Sequence, residues 1–325
     1  MLSLSTCWNG ARHTDGEAMI DEILELGFDC VELSHGMSVT KLPGVRRAFE
    51  QGKFRCSGVH NYFPSPTEVM IDAPDAYEFT SHRTTDRRRA MDLTVRTLEV
   101  AAEFGARYVV LHMGSNPLMP HEKWTGRLTR MLRDGKYSER RYAKWKVKCV
   151  RRREKTGTRY FQRALDALET LADRAAACKV PLAVESRSHF EDVPTEREMT
   201  TLQEHFRDNP WVGYWHDYGH VQLKHNLGLL DHLHWLYSMQ PYLLGAHVHD
   251  VRWPRRDHRV PFTASLDFDK LLKPLDPALP HVWELSPSRH ADQIRESLAI
   301  WKEKFPETLT IAREEKPQAA TGNAS

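Results

Sequence analysis

With 325 residues, 40% of them apolar and 10% aromatic, the chain can build a large core; it is long for one compact domain but ordinary for an α/β barrel. The net charge of +2 hides a segment, Lys123 to Arg159, with 15 Lys/Arg against 3 Asp/Glu, a local +12 that leaves −10 for the remainder. Five cysteines without a CxxC spacing argue against a disulfide framework, no apolar run approaches the roughly 18 residues of a membrane helix, and the N-terminus lacks a basic-then-apolar leader, so the expectation is a soluble cytoplasmic protein.

In chain order, short β-rich segments alternate with helical patterns. "LSLST" (2–6) reads as a strand, and "DGEAMIDEILELG" (15–27) places Met19, Ile20, Ile23, Leu24 and Leu26 at helical spacing before a stopping glycine. "FDCVELS" (28–34) and "FRCSGVH" (54–60) read as strands two and three, and a proline-containing loop leads to a helix over 87–105. "ARYVVLHMGS" (106–115) is strand four. A helix over 161–178 leads to "VPLAVES" (180–186), strand five. Strands six, seven and eight are "WVGYWHD" (211–217), "LLGAHVHD" (243–250) and "HVWELS" (281–286). Eight strands alternating with helices imply a parallel sheet closed into a (β/α)8 TIM barrel. The expected organisation is a single domain over 1–312, with a basic insertion at about 116–158 between strands four and five and a disordered polar tail over 313–325.

The basic run suits nucleic acid, a phosphorylated substrate or an acidic partner, while a solvated helical insertion is the competing reading. It contains Trp124, Tyr142 and Trp145 and few Gly or Ser, as a folded helical piece would.

In such barrels the chemistry gathers where the strands end, because the following loops converge on one mouth. Here strand three ends at His60, four at His112, five at Glu185 and six at Asp217, with His220 close behind; strand seven carries His247 and His249, and strand eight Glu284. One histidine at a strand end is more often a hydrogen-bonded structural residue than a ligand, and Glu284 alone could be an ordinary ion-pair member. The repetition of such residues at one relative position on strand after strand is what points to a site. Unpaired buried carboxylates and imidazoles cost several kcal/mol, and a divalent cation is the simplest compensation. Oxygen with imidazole nitrogen suits Mn²⁺, Zn²⁺, Co²⁺ or Fe²⁺.

"HDYGH" resembles the Asp-x-x-His signature (Asp217 to His220) of the xylose-isomerase-like barrel superfamily, which includes sugar isomerases, sugar epimerases and apurinic endonuclease relatives. "LSLSTCWN", "AVES", "GAHVHDVR", "DHRVPFTASLDFDKLL" and "VWELS" fall in that family's order, so the resemblance spans roughly 1–310 outside the basic insertion. It implies one divalent cation held by Glu185, Asp217, His247 and Glu284. His247 is preferred to His249 because His247 and Asp250 satisfy a His-x-x-Asp pattern, and His249 is expected to point the other way along the strand. His220 becomes a substrate contact, and His216 is expected to face the helical layer.

The activity implied is that of a sugar isomerase or epimerase, in which a metal-stabilised enediolate forms as Glu185 and Glu284 remove and return a proton. His60 and His112 occur as substrate contacts in sugar-handling relatives. Arg187 and Arg252 can hold substrate hydroxyls or a phosphate, surface duty being the alternative. Trp8, Phe63 and Trp253 are candidates to wall a sugar, against plain packing. The rival is endonuclease-like hydrolysis of abasic DNA at a trinuclear zinc site, using His60, His112, His220 and His258. It is disfavoured, and nucleic acid with it, because "RRDH" puts Arg256 where that branch has an aspartate. A lyase or hydrolase of keto-glycosides shares the first step and stays open. The expected partner is a small sugar or sugar derivative, with no membrane, and the basic insertion can serve as an interface between copies as readily as a lid.

Overall fold

A computed structural model describes residues 1–69, 73–135, 137–254 and 256–309. The tail expected over 313–325 lies outside the described residues.

Eight parallel strands close into a barrel: β1 (Leu2–Ser5), β2 (Cys30–Leu33), β3 (Arg55–His60), β4 (Val109–Leu111), β5 (Leu182–Glu185), β6 (Val212–Asp217), β7 (Leu243–Val248) and β8 (His281–Trp283). Each pairs with its chain neighbours, and β1 closes on β8. All eight lie within the segments that alternation marks in the sequence. The strands alternate between two surroundings. Leu182 and Val184, like Tyr214, point to the helical layer and join the main core, whereas Ala183 and Trp215 belong to a small interior cluster with Tyr108, Val110 and Val282. On the interior side the next residues along the strands are Glu185, Asp217 and Glu284, so these acids cap a small apolar cluster.

The outer helices follow local rules. Helix α1 (Gly16–Glu25) starts where the Asp15 carboxylate accepts from the Glu17 and Ala18 amides, and it buries Met19, Ile20 and Ile23. No helix is expected from the sequence between strands two and three, yet α2 (Leu42–Glu50) forms there with a proline in its first turn and Leu42, Val45 and Ala48 on one buried stripe. Helix α3 (Thr84–Glu103) follows β3.

The basic segment is helical. It contains α4 (Thr125–Asp134) and the first half of α5 (Glu139–Cys178), one helix of 40 residues and about 60 Å. The expected start at 161 is therefore 22 residues late. The charged first half shows little apolar periodicity because it packs on a satellite cluster of Met119, Leu128, Cys149 and Leu227 rather than on the barrel. Its second half buries Tyr160, Ala164, Leu168, Leu171 and Ala175 on the main core. Trp124 and Trp145 stack at 5.8 Å, with the Arg127 guanidinium 4.1 Å above Trp145. Buried Glu191 accepts from the Thr125 amide and hydroxyl at 2.8 Å, which ties α4 to the loop after β5.

Helix α6 (Glu196–His205) opens with a Thr195–Glu198 capping box. Helices α7 (Tyr218–Asn226) and α8 (His232–Met239) follow β6, α9 (Phe268–Leu271) precedes β8, and α10 (Ala291–Lys304) closes the ring. No described helix is long and apolar enough to cross a membrane.

Candidate functional site

Four strands deliver one donor each to a single point at the carboxyl end of the barrel. Glu185 ends β5, Asp217 ends β6, His247 lies in β7 and Glu284 immediately follows β8; Asp217 and His247 are direct partners in the ladder. Their donor atoms all lie within 4.8 Å of one another, and none of the four side chains is more than 6% exposed. His247 Nδ1 faces all three carboxylates, at 2.9 Å from Glu185, 3.5 Å from Glu284 and 3.7 Å from Asp217. Burial alone would lower the His247 pKa, but Glu284, Glu32 and Glu185 outweigh it and hold the imidazole well above its ordinary range. Burial would likewise raise Glu185, yet His112 and His247 keep it well below.

The "HDYGH" stretch builds its part of the site through a helix cap. Asp217 is the N-cap of α7: one oxygen accepts from the His220 amide at 2.7 Å. The same carboxylate faces His249 Nε2 at 3.0 Å, which holds His249 up at about 9 against the pull of burial. His249 thus points into the site, not away from it, since residues two apart on a strand share a face. Gly219 makes room for it, because a Cβ there would sit 1.9 Å from the His249 ring. The His220 ring donates from Nδ1 to the Ser186 carbonyl at 3.0 Å. His216, on the other face, bonds to the Tyr214 hydroxyl and to His232 in the helical layer.

On the opposite side, His112 bridges two carboxylates, with Nε2 2.6 Å from Glu185 and Nδ1 2.9 Å from Asp75. Burial and Arg187 pull its pKa down, Asp75 and Glu185 push it up, and the balance lies at about 9. Arg187 donates to the second oxygen of Asp75 at 2.6 Å. His60 uses Nδ1 on the Asn61 carbonyl, while Nε2 stands 3.6 Å from Glu185 without a hydrogen bond among the described residues.

Above these groups opens a cavity of about 330 Å³ lined among others by His35, His112, Arg187, His220, His258 and Glu284. Most of the residues singled out in the sequence therefore converge. Arg252 does not: it is exposed on a short ribbon, Asp250–Arg252 paired with Arg256–Arg259. Trp253 is 52% exposed, and Trp8 and Phe63 are buried packing residues; none of the three lines the cavity. Asp250 accepts from the amides of Val251, Ala264, Ser265 and Leu266, fixing the loop after the ribbon.

The sequence reading misses Glu32, Asp75 and Ser186. Glu32 is signalled by a charge inside the apolar run "CVEL". Ser186, whose hydroxyl accepts from the Asp217 amide at 2.9 Å, follows directly on Glu185. Asp75 sits in an irregular loop, where no spacing marks it.

Three carboxylates and one imidazole, buried and clustered, form a donor set that fits a divalent cation of the Mn²⁺, Zn²⁺, Co²⁺ or Fe²⁺ type. Three further groups of possible donors adjoin it, His35–His60–Glu284, His60–His112–Glu185 and His220–His249–His258.

A search of curated proteins finds no significant match. Solved structures do match in fold. A D-tagatose 3-epimerase-like protein is 16% identical, with 95% of this chain and 99% of that chain covered at a TM-score of 0.64. The 3-keto-D-glucoside 4-epimerase of E. coli is also 16% identical, with coverages of 93% and 98% at 0.64. An L-ribulose 3-epimerase, 13% identical, covers 97% and 99% at 0.65. A family model described as xylose isomerase-like TIM barrel matches residues 20–304, most of the chain. By its sequence, its closed barrel and the strand-end residues gathered at one mouth, the chain belongs to the xylose isomerase-like TIM barrel family.

Proposed function

We propose that the protein is a divalent-cation-dependent sugar isomerase or epimerase that moves a proton beside a sugar carbonyl. The observation that carries the reading is the convergence of Glu185, Asp217, His247 and Glu284 within 4.8 Å, beside a cavity that Glu284 itself lines. These four would hold the cation, which when bound supplies the positive charge that favours loss of a proton next to a carbonyl. The rest falls to the chain's own groups. Glu185 and Glu284 come from strands separated by β6 and β7, so their carboxylates reach the cluster from different sides; one takes the proton and the other returns it. His112, clamped by Asp75, fixes the outer oxygen of Glu185 and leaves its other oxygen toward His247. Arg187, His220 and His258 line the wall where substrate hydroxyls would bind. The volume suits a ligand of monosaccharide size, at the small end of ligand pockets. That several neighbours of the same fold are named as ketose 3-epimerases supports the class of reaction.

The three adjoining donor groups favour a second reading, phosphodiester hydrolysis by several cations. Against it, His249 accepts from the His258 amide at Nδ1 and faces Asp217 with Nε2, which leaves neither nitrogen for a cation. The deciding experiment is elemental analysis of the purified protein, followed by incubation with keto sugars in D₂O. About one cation per chain, with deuterium entering beside the carbonyl, supports the proposal, and elimination without reprotonation would move it to the lyase class. Two or three zincs per chain with cleavage of an abasic duplex would replace it.

A further inference from the structure

A carboxylate inside a barrel strand is costly unless every oxygen finds a donor. Glu32, in β2, is fully buried and ranks among the most enclosed acids of the chain. Its Oε2 accepts from the Tyr108 hydroxyl at 3.0 Å, and both oxygens stand 3.2–3.3 Å from His247 Nε2. Tyr108 is itself fixed: its hydroxyl lies 3.3 Å from Ser57 Oγ, which is 2.8 Å from Ser3 Oγ. Its ring passes over Gly58, where a Cβ would sit 2.2 Å away. Strands β1 to β3, with Tyr108 just before β4, thus build a floor that holds Glu32, and Glu32 reaches across the barrel to His247 on β7.

We propose that Glu32 is a positioning residue that keeps the His247 proton on Nε2 and so presents Nδ1 to the cation. This rests on the cation reading of the four-residue cluster. An imidazole has one lone pair to give a metal only when its other nitrogen carries the proton, and in a dry interior that N–H needs an acceptor. Glu32 is the acceptor on the Nε2 side, while the three carboxylates of the cluster all lie on the Nδ1 side. A charged acceptor also strengthens the imidazole as a donor to the cation.

The test is competition titration of Mn²⁺ and Zn²⁺ against a chromophoric chelator, on folded wild type, E32Q, E32L and Y108F, with melting curves of the chelated proteins alongside. Glu32→Gln keeps the shape and one neutral acceptor, and is expected to weaken cation affinity about 10-fold; Glu32→Leu removes the acceptor, and the loss is expected to approach about 100-fold. Tyr108→Phe leaves the Glu32–His247 contact in place and should change affinity less than E32Q. A residue serving only to pack would move the melting curves and leave the affinity of the folded protein alone. Wild-type affinity in E32Q and E32L overturns the proposal while leaving the cation site standing. A wild type that takes up neither ion overturns the site and the proposal together. If E32L does not fold, the isosteric E32Q decides.

Discussion

Asp217→Asn separates the role of Asp217 in the fold from its role in the site. The carboxylate caps α7 through the His220 amide and faces His249, and on its other side it looks toward His247 Nδ1. An alanine there removes the cap, worth about 1 kcal/mol, and leaves a buried imidazole N–H without its acceptor, so loss of function in D217A mixes two causes. Asparagine keeps the volume and is itself a good N-cap; what it loses is the charge, including a charge-assisted bond to His249 worth about 1.5–3 kcal/mol. A ligand at about 100 times its dissociation constant stabilises a fold by about 2.7 kcal/mol. Larger domains move roughly 2 °C per kcal/mol, so wild type freed of metal should gain about 5 °C on adding Mn²⁺, Zn²⁺, Co²⁺ or Fe²⁺ at that excess. D217N should fold, melt somewhat below the chelated wild type, and show no such gain. Thermal unfolding of both proteins, with chelator and with each ion, is the assay. A wild type indifferent to all four ions refutes the cation reading, and a D217N that gains as much as wild type refutes the part given to Asp217.

Gly219→Ala puts a methyl 1.9 Å from His249, which cannot retreat because it stacks on His258 at 4.2 Å; denaturant titration should show a loss of about 1–3 kcal/mol, accompanied by reduced turnover. Glu185→Gln and Glu284→Gln should each slow deuterium uptake into a keto sugar by at least about 100-fold, and a variant with full exchange would remove that glutamate from the proton path. His281, at the far end of the barrel, is 1% exposed with neither ring nitrogen hydrogen-bonded among the described residues, and burial lowers its pKa to about 3. The unfolded chain then takes up a proton that the fold refuses, so stability falls as pH drops below about 6.5, by roughly 2 kcal/mol at pH 5 from this group. His281→Leu should stabilise by about 1–3 kcal/mol at pH 7.5 and flatten the decline toward pH 5, as read from urea unfolding at both values.

The barrel was legible because its signal is repeated. Each strand is a short apolar run with a polar terminus, and eight such runs in alternation admit few architectures. The candidate residues at strand ends shared that advantage: Glu185, Asp217, His247 and Glu284 stand where the pleat brings interior positions to the mouth. What escaped had other causes. Helix α5 reads as two things because its first half packs on α4 and the loop after α7, where charged stems and stacked tryptophans replace an aliphatic stripe. Asp75 acts from an irregular loop, and its partners His112 and Arg187 are distant in sequence. Glu32 sits one turn of pleat below the strand end, where an acid looks like a misplaced surface residue until the tyrosine and the histidine that hold it are seen together.

The choice of counter-ion inside the mouth carries its own argument. Glu185, Asp217 and Glu284 are balanced mainly by the imidazoles of His112, His247 and His249, and among the described residues only Arg187, held off by Asp75, brings a permanent cation near. Lysine or arginine in those places would pair the carboxylates as well, but would keep the charge at any pH the protein meets. An imidazole can give up its proton when another cation arrives and then offer the freed lone pair to it. A barrel that needed only to neutralise buried acids would be free to use either kind of base. A barrel that exchanged protons for a metal ion would favour histidine, and histidine is what β7 and the residues just after β4 and β7 supply.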